Sequence, residues 1–93
     1  MVVGVLRAEL AVMGATSLKD KRRVVKSIKD KLGNRHNVSV AEVDGLESHQ
    51  RAVLGLAMVS NESRFVESCL SKIVDELRVA RDACLVDYEI EVL

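Results

Sequence analysis

This 93-residue chain contains no proline and only two aromatic residues, Phe65 and Tyr88. With so few rings it cannot build a platform on which several nucleic-acid bases stack, as the sheet of an RNA-recognition motif does. It also has no proline-rich or low-complexity linker that would separate two domains. We therefore expect one domain over residues 1–93, with a core made of aliphatic side chains.

Cysteine and histidine are also scarce. Cys69 and Cys84 are isolated, and neither His36 nor His49 has a second ligand at the spacing of a metal site. This pattern argues against a disulfide framework, a zinc site or any other bound cofactor, and it favours the reducing cytoplasm. We expect both cysteines to be small buried hydrophobic residues and both histidines to be ordinary surface residues.

Long apolar runs are missing as well. No run approaches the roughly 20 apolar residues that a membrane helix needs. The first apolar run, "MVVGVL", has no basic segment before it, so we expect no signal peptide. The sequence therefore predicts a cytoplasmic protein without a membrane partner.

The formal net charge is zero, but the charges are unevenly distributed. Residues 1–45 hold nine Lys or Arg against five Asp or Glu, and residues 46–93 hold five against nine. The segment "TSLKDKRRVVKSIKDKLG", residues 16–33, alone carries seven basic and two acidic side chains. Such asymmetry indicates a charged face on a neutral molecule.

Four segments have the composition of β-strands. They are residues 2–12, 36–43, 51–59 and 83–93. The first and third are apolar on both faces, which is typical of central strands. The last alternates strictly, with one apolar face (Cys84, Val86, Tyr88, Ile90, Val92) and one acidic face (Asp87, Glu89, Glu91).

Two segments have helical periodicity. The first covers about 18–32, where Ser17 and Asp20 resemble a capping box and Gly33-Asn34 is a left-handed stop signal. The second starts after a cap at Ser60 or Asn61 and extends to about residue 78.

The element order is therefore βαββαβ, which predicts an α+β, ferredoxin-like fold. In this fold two helices cover one face of a four-stranded antiparallel sheet, with the first and third strands in the centre and the second and last at the edges. Both central strands would then keep an apolar set of side chains on the uncovered face. Exposed patches of this kind usually mark an interface, so we expect a homodimer through the open sheet face. The alternative is that a different protein, or the ribosome, covers this face.

On a helical wheel of about 100° per residue, five basic residues of the first helix fall together in a sector separate from the apolar one and form a stripe. This basic stripe consists of Lys19, Arg22, Arg23, Lys26 and Lys29. Two interpretations remain open. The stripe binds the phosphates of RNA, or it is a solvated face that pairs with acids elsewhere, such as those of the last strand.

Lys21 stands apart from the basic stripe, at the centre of the apolar sector. Because it lies near the start of the helix, we expect its side chain to reach solvent past the sheet edge. A specific ion pair with an acid on a neighbouring element is the alternative.

Five segments, "MVVGVLRAEL", "SLKDKRRVVKSIKDKL", "NVSVAEV", "QRAVLGLAMVSN" and "DYEIEVL", resemble the YlxP-like family of small bacterial proteins. The resemblance covers nearly the whole chain and implies a ferredoxin-like topology. It supplies no catalytic residues. Members are often encoded among transcription and translation factors, which implies a role near RNA or the ribosome. His49 stands where the family commonly has an aromatic residue.

Three classes of function compete for this sequence. The first is an RNA- or ribosome-associated binding protein that uses the basic stripe, and the second is a homo-oligomeric interaction module without a nucleic-acid role. The third is an enzyme such as an acylphosphatase, which needs a Gly-rich phosphate loop followed by Arg. The segment "VMGATS" has one glycine and no following arginine, so we expect no catalytic residues.

Overall fold

The computed structural model describes all 93 residues and contains four strands and two helices. The strands are β1 (Val2–Ala11), β2 (Ser39–Asp44), β3 (Arg51–Ser60) and β4 (Cys84–Val92), and the helices are α1 (Leu18–Arg35) and α2 (Ser63–Arg78). All strand pairs are antiparallel, in the spatial order β2-β3-β1-β4. The predicted ferredoxin-like fold, with β1 and β3 in the centre, is confirmed. Neither helix combines the length and the apolar character needed to cross a membrane.

Alternation along the two central strands decides which side chains enter the core. Leu6 pairs with Leu56 and Ala8 with Leu54, so the even-numbered side chains of both strands point toward one face. There they join the buried apolar residues of both helices in one aliphatic core. The odd-numbered side chains lie on the opposite face of the sheet, which no helix covers, and which we call the open face.

Helix α2 lies unusually close to β1 at Gly4. A Cβ atom at this position would overlap the side chain of Val66 and lie 2.9 Å from Leu70 Cδ1. Val66 and Leu70 are both fully buried. The absent side chain therefore allows this close contact between helix and sheet.

The ends of the helices differ in part from prediction. Ser17 caps α1 as expected, since its hydroxyl oxygen accepts a hydrogen bond from the backbone N–H of Asp20 at 3.1 Å. The predicted stop at Gly33-Asn34 is wrong, because α1 continues to Arg35 and Gly45 is the one residue with a positive φ. The predicted cap of α2 is also wrong. Ser60 ends β3, and Glu62 precedes the helix without a side-chain hydrogen bond.

A contact between the two helices extends α1 beyond the predicted stop. His36 follows the last residue of α1, and its ring nitrogen lies 2.8 Å from a carboxylate oxygen of Glu76 on α2. The same carboxylate group lies 3.6 Å from the guanidinium group of Arg35. The His36 side chain is only 16% exposed, so the prediction of an ordinary surface histidine is wrong.

Strand β4 does not alternate strictly. Leu10 pairs with Leu85 while Glu9 pairs with Asp87, so Val86 is an extra residue in a β-bulge. As a result Leu85 packs against the core, and both Val86 and Cys84 are exposed. The predicted burial of Cys84 is therefore wrong. Cys69 is half-buried and packs against the core.

Replacing Gly4 should test the close helix–sheet contact. We expect Gly4→Ala to lower the free energy of unfolding by about 1–3 kcal/mol, because the new methyl group displaces packed side chains. Urea denaturation measures this change. Gly33→Ala is the control, since a Cβ there meets nothing within 4 Å, and it should leave stability equal or raise it by up to about 1 kcal/mol. Equal stability of Gly4→Ala and the unmodified protein would contradict the interpretation.

Candidate nucleic-acid interface on helix α1

The basic stripe lies on the side of α1 that faces away from the sheet. The inner side of the helix buries Val25 and Leu32 and partly buries Val24 and Ile28. Four of the five predicted site residues are exposed and the fifth is half-buried, in the order Lys19, Arg22, Arg23, Lys26 and Lys29. The structure therefore brings all five predicted residues onto one helix and one side of the molecule.

Most of the stripe has no carboxylate partner. Lys26 lies 2.7 Å from Asp30, one helical turn further on, and both side chains are largely exposed. The other four cations of the stripe have no carboxylate within 4.0 Å. Exposed ion pairs of the Lys26–Asp30 type contribute little to stability. The stripe is thus a local excess of positive charge.

The acids of β4 do not neutralise the stripe. Asp87, Glu89 and Glu91 pair in register with the odd-numbered residues of β1, which places them on the open face. The helices cover the other face. The sheet itself therefore separates the acidic group from the basic stripe, and the molecule carries opposite charges on opposite sides.

Asp20 directly follows Lys19 of the stripe, and its carboxylate already accepts hydrogen bonds from another residue. One of its oxygens accepts hydrogen bonds from the Thr16 hydroxyl at 2.9 Å and from the Thr16 backbone N–H at 3.2 Å. These two bonds, with smaller contributions from Ser17 and Arg23, lower the pKa of Asp20 below its usual value. Asp20 therefore remains ionised at neutral pH as part of the N-terminal cap of α1.

Lys21 is completely buried and does not reach solvent, so the expected position of its side chain is wrong. Its ammonium group lies 2.8 Å from the Glu42 carboxylate and donates to the carbonyl oxygens of Gly45 at 2.7 Å and Arg51 at 3.2 Å. The alternative of an ion pair with a neighbouring element is correct. An ammonium group has three donors, and here all of them have acceptors.

The Lys21 contact fixes the position of the β2–β3 connection. Glu42 pairs with Leu54 across the strands, so it points to the helix-covered face where Lys21 lies. Next to this ion pair, the Gln50 carbonyl oxygen accepts from Val12 N–H at 2.8 Å. The loop at residues 45–50 is thereby held against the start of α1. Lys21 therefore connects α1 to the β2–β3 connection.

The remaining candidates do not form a site. His49 is exposed on the 45–50 loop and has no hydrogen bond. No three His, Cys, Asp or Glu side chains come together in a way that would hold a metal ion. Tyr88 lies on the helix-covered face of β4, where the guanidinium of Arg78 is 5.6 Å from its ring centroid. Neither aromatic residue of the chain is part of α1.

Known proteins similar to this chain agree with its ferredoxin-like fold and with its resemblance to YlxP-like proteins. The profile of a family described as "Protein of unknown function (DUF503)" matches residues 3–90. "Uncharacterized protein YlxP" of Bacillus subtilis (strain 168) is 33% identical over 73 residues, which cover 78% of this chain and 79% of that protein. The predicted resemblance to YlxP-like proteins is confirmed.

Two solved structures of designed proteins share the fold. The de novo designed protein Foldit4 has a TM-score of 0.55 at 14% identity, over all of this chain and 97% of its own. The de novo designed protein LFR1 1, which has a ferredoxin fold, has a TM-score of 0.52 at 13% identity, over all of this chain and 84% of its own. At these identities the likeness concerns the fold alone.

Removing one partner of the Lys21–Glu42 ion pair should destabilise the fold more than replacing both partners. We expect Lys21→Met to lower the free energy of unfolding by about 3–5 kcal/mol, because Glu42 is left buried without a partner. Adding Glu42→Leu should recover much of this loss, since two apolar side chains replace the ion pair. Urea denaturation of both single variants and the double variant measures the coupling.

Lys26→Met is the matched control, because it removes one partner of an exposed ion pair on the same helix. It should change stability by no more than about 1 kcal/mol. If the loss of unfolding free energy in the double variant equals the sum of the losses in the two single variants, Lys21 and Glu42 do not act together.

Proposed function

We propose that this chain, which belongs to the DUF503 family of proteins of unknown function, is a binding protein that holds RNA through the basic stripe of α1. The observation that supports this proposal is the group of five cations on one side of one helix, of which only Lys26 has a carboxylate partner. Phosphate groups are the anions that such a surface attracts most strongly when they are arranged in a chain. The RNA is either free or part of a ribosomal particle.

The stripe carries an internal electrostatic cost. Its members are neighbours at spacings of three or four residues, and each like-charged pair of this kind destabilises a helix by about 0.2–0.5 kcal/mol. The outer side of α2 provides a contrast, because there Arg64 and Lys72 alternate with Glu67 and Asp75. A mixed face needs no partner, whereas a bound phosphate chain would relieve the repulsion within the stripe.

The length of the stripe suits a nucleic-acid backbone. From Lys19 to Lys29 the helix rises about 15 Å. Even at the spacing of a DNA duplex, where successive phosphates of one strand are about 3.4 Å apart along the axis, the stripe spans several phosphates. Without an aromatic residue in α1, the stripe itself offers no stacking surface for bases. The proposed contacts along the stripe are therefore independent of nucleotide sequence.

A second candidate function is self-association through the open face, and one observation favours it. Val43 and Val59 are 54% and 56% exposed, and Val3 and Val5 beside them are half-buried. All four lie on the side of the sheet that no helix covers. We propose that a second copy covers this patch in a two-fold symmetric dimer, since a two-fold interface pairs the same patch with itself.

Charged groups on the open face limit how tightly two copies would bind. Arg51 lies 3.4 Å from Glu9 and 4.0 Å from Asp44, and Arg7 lies 3.9 Å from Asp44. These four groups pair with one another and leave Arg7 without a contact to the acids of β4. Those acids carry the same sign in both copies and would repel. Apolar contact would therefore favour association while unscreened charge opposes it.

RNA binding through the stripe predicts the behaviour of a triple variant. We expect Arg22→Gln, Arg23→Gln and Lys26→Gln together to weaken RNA binding at least tenfold at low salt, because three phosphate contacts are lost. The dependence of affinity on salt concentration should become flatter, while the melting temperature stays equal or rises slightly. Fluorescence anisotropy with labelled RNA measures affinity, and co-sedimentation with ribosomal subunits at low and moderate salt tests the larger target.

The control is a second triple variant on α2, with Arg64, Lys72 and Arg78 changed to Gln, in which Arg78 also loses its contact with the Tyr88 ring. It removes the same net charge from equally exposed positions. An equal loss of affinity in both triple variants would mean that net charge alone attracts RNA. Unchanged RNA retention in the α1 variant would show that the stripe is only a solvated face.

Self-association predicts a dimer that strengthens as salt is raised, because salt screens the repulsion between acids but not the apolar contact. Sedimentation velocity at micromolar concentrations measures the dimer fraction. We expect Val59→Glu to weaken association at least tenfold, and Val79→Glu, at an 80% exposed valine that follows α2, to leave it unchanged. A single species near 10.2 kDa under all conditions would refute the dimer.

A further inference from the structure

A trough runs along the side of α1 that faces α2 and the α2–β4 connection. Its upper part is a cleft of about 450 Å³ between the β1–α1 connection, the first turns of α1 and residues 81–84. Its lower part, of about 250 Å³, lies between the second half of α1 and the end of α2. Val24, Arg81 and Asp82 line both parts, so the two parts adjoin along these residues.

The trough has an apolar floor and a basic rim. Its apolar lining is aliphatic and includes Val12, Ala15, Val24, Ile28, Leu32 and Ala83. The rim carries Arg23 and Lys31 on one side and Arg81 on the other, and none of these has a carboxylate within 4.0 Å. An occupant of matching chemistry combines a flat or apolar body with negative charge.

The acids of the trough refine this description. Asp20 is hydrogen-bonded to Thr16. Glu76 is hydrogen-bonded to His36 and lies near Arg35. Asp82 has no hydrogen-bond or ion-pair partner and is therefore available as an acceptor. A site that offers free guanidinium groups, an apolar floor and one free carboxylate fits a group with both phosphate and hydrogen-bond donors. A nucleotide has these features, since its base and ribose carry N–H and O–H groups.

Arg23 connects the trough with the basic stripe, because it belongs to both. A strand whose phosphates follow the stripe can thus place a neighbouring nucleotide in the trough. In a duplex the bases are stacked and paired, and they cannot enter. In single strands the bases are free to turn out and to stack on guanidinium planes.

We infer that the trough receives one unstacked nucleotide of single-stranded RNA, with Arg81 on the far rim as a contact to its base or phosphate. This inference rests on the proposed RNA binding by α1 and gives that site a preference for single strands over duplexes. It also extends the proposed RNA site to residues of the α2–β4 connection. That connection lies about 50 residues after the stripe in the chain.

Two variants test the trough by different physical means. Arg81→Gln removes the cation on the far rim. Gly14→Leu adds bulk without charge, at a position that lines the upper cleft, where a Cβ meets nothing within 4 Å and φ is not positive. Arg64→Gln is the control for Arg81→Gln, because it removes one positive charge from the exposed outer side of α2, away from the trough.

The measurement is fluorescence anisotropy with a labelled 12-nucleotide single strand and with the duplex of the same sequence. We expect Arg81→Gln and Gly14→Leu each to weaken single-strand binding about fivefold or more, since the first removes a charged contact to the nucleotide and the second fills part of the cleft that receives it. Both should leave duplex binding within twofold of the unmodified protein, and Arg64→Gln should leave both affinities within twofold. Circular dichroism confirms that each variant is folded.

The outcomes separate the trough from the stripe. If the α1 triple variant loses RNA while Arg81→Gln and Gly14→Leu bind single strands normally, the inference about the trough is overturned and the proposed function stands. If Arg81→Gln weakens single strands and duplexes equally, the residue contributes charge only, and the nucleotide site is again refuted. If the unmodified protein binds neither RNA at low salt, both proposals fall together.

Discussion

Burial of one face of the β1–β3 pair under two helices is the interaction on which the other features depend. The even-numbered leucines and alanines of these strands form the core with α2 and α1, and the chain has no further element to cover the other face. Side chains that are not part of this core must therefore lie either on the open face or on the outer sides of the helices. The acids of β4 and the basic stripe of α1 occupy these two places, and the sheet keeps them apart.

Helix α1 combines a buried polar contact with an exposed charged side. Burial of a charge is costly unless it is paired and its hydrogen bonds are complete, and Lys21 meets both conditions through Glu42 and the carbonyl oxygens of the hairpin. The same contact holds the 45–50 loop beside the start of α1. A helix fixed in this way presents its outer cations in a defined geometry, which is what a surface for phosphates requires.

Local patterns in the chain were sufficient for much of the fold and for the candidate site. Element order, the Ser17 cap and the grouping of the stripe all depend on residues a few positions apart, where periodicity and capping chemistry act directly. The predictions that were wrong depended on distant partners. Glu76 holds Arg35 and His36 past the expected stop at Gly33, and pairing with β1 creates the bulge that exposes Cys84.

By itself the sequence determined that the fold is βαββαβ, that its core is aliphatic, and that five cations share one side of α1, because these follow from spacing along a single element. Only the tertiary structure decided the partner of Lys21, the separation of the β4 acids from the stripe, and the trough between α1 and the α2–β4 connection. Each of these joins residues from different elements. Their contacts depend on strand register and helix packing, which no local pattern of residues specifies.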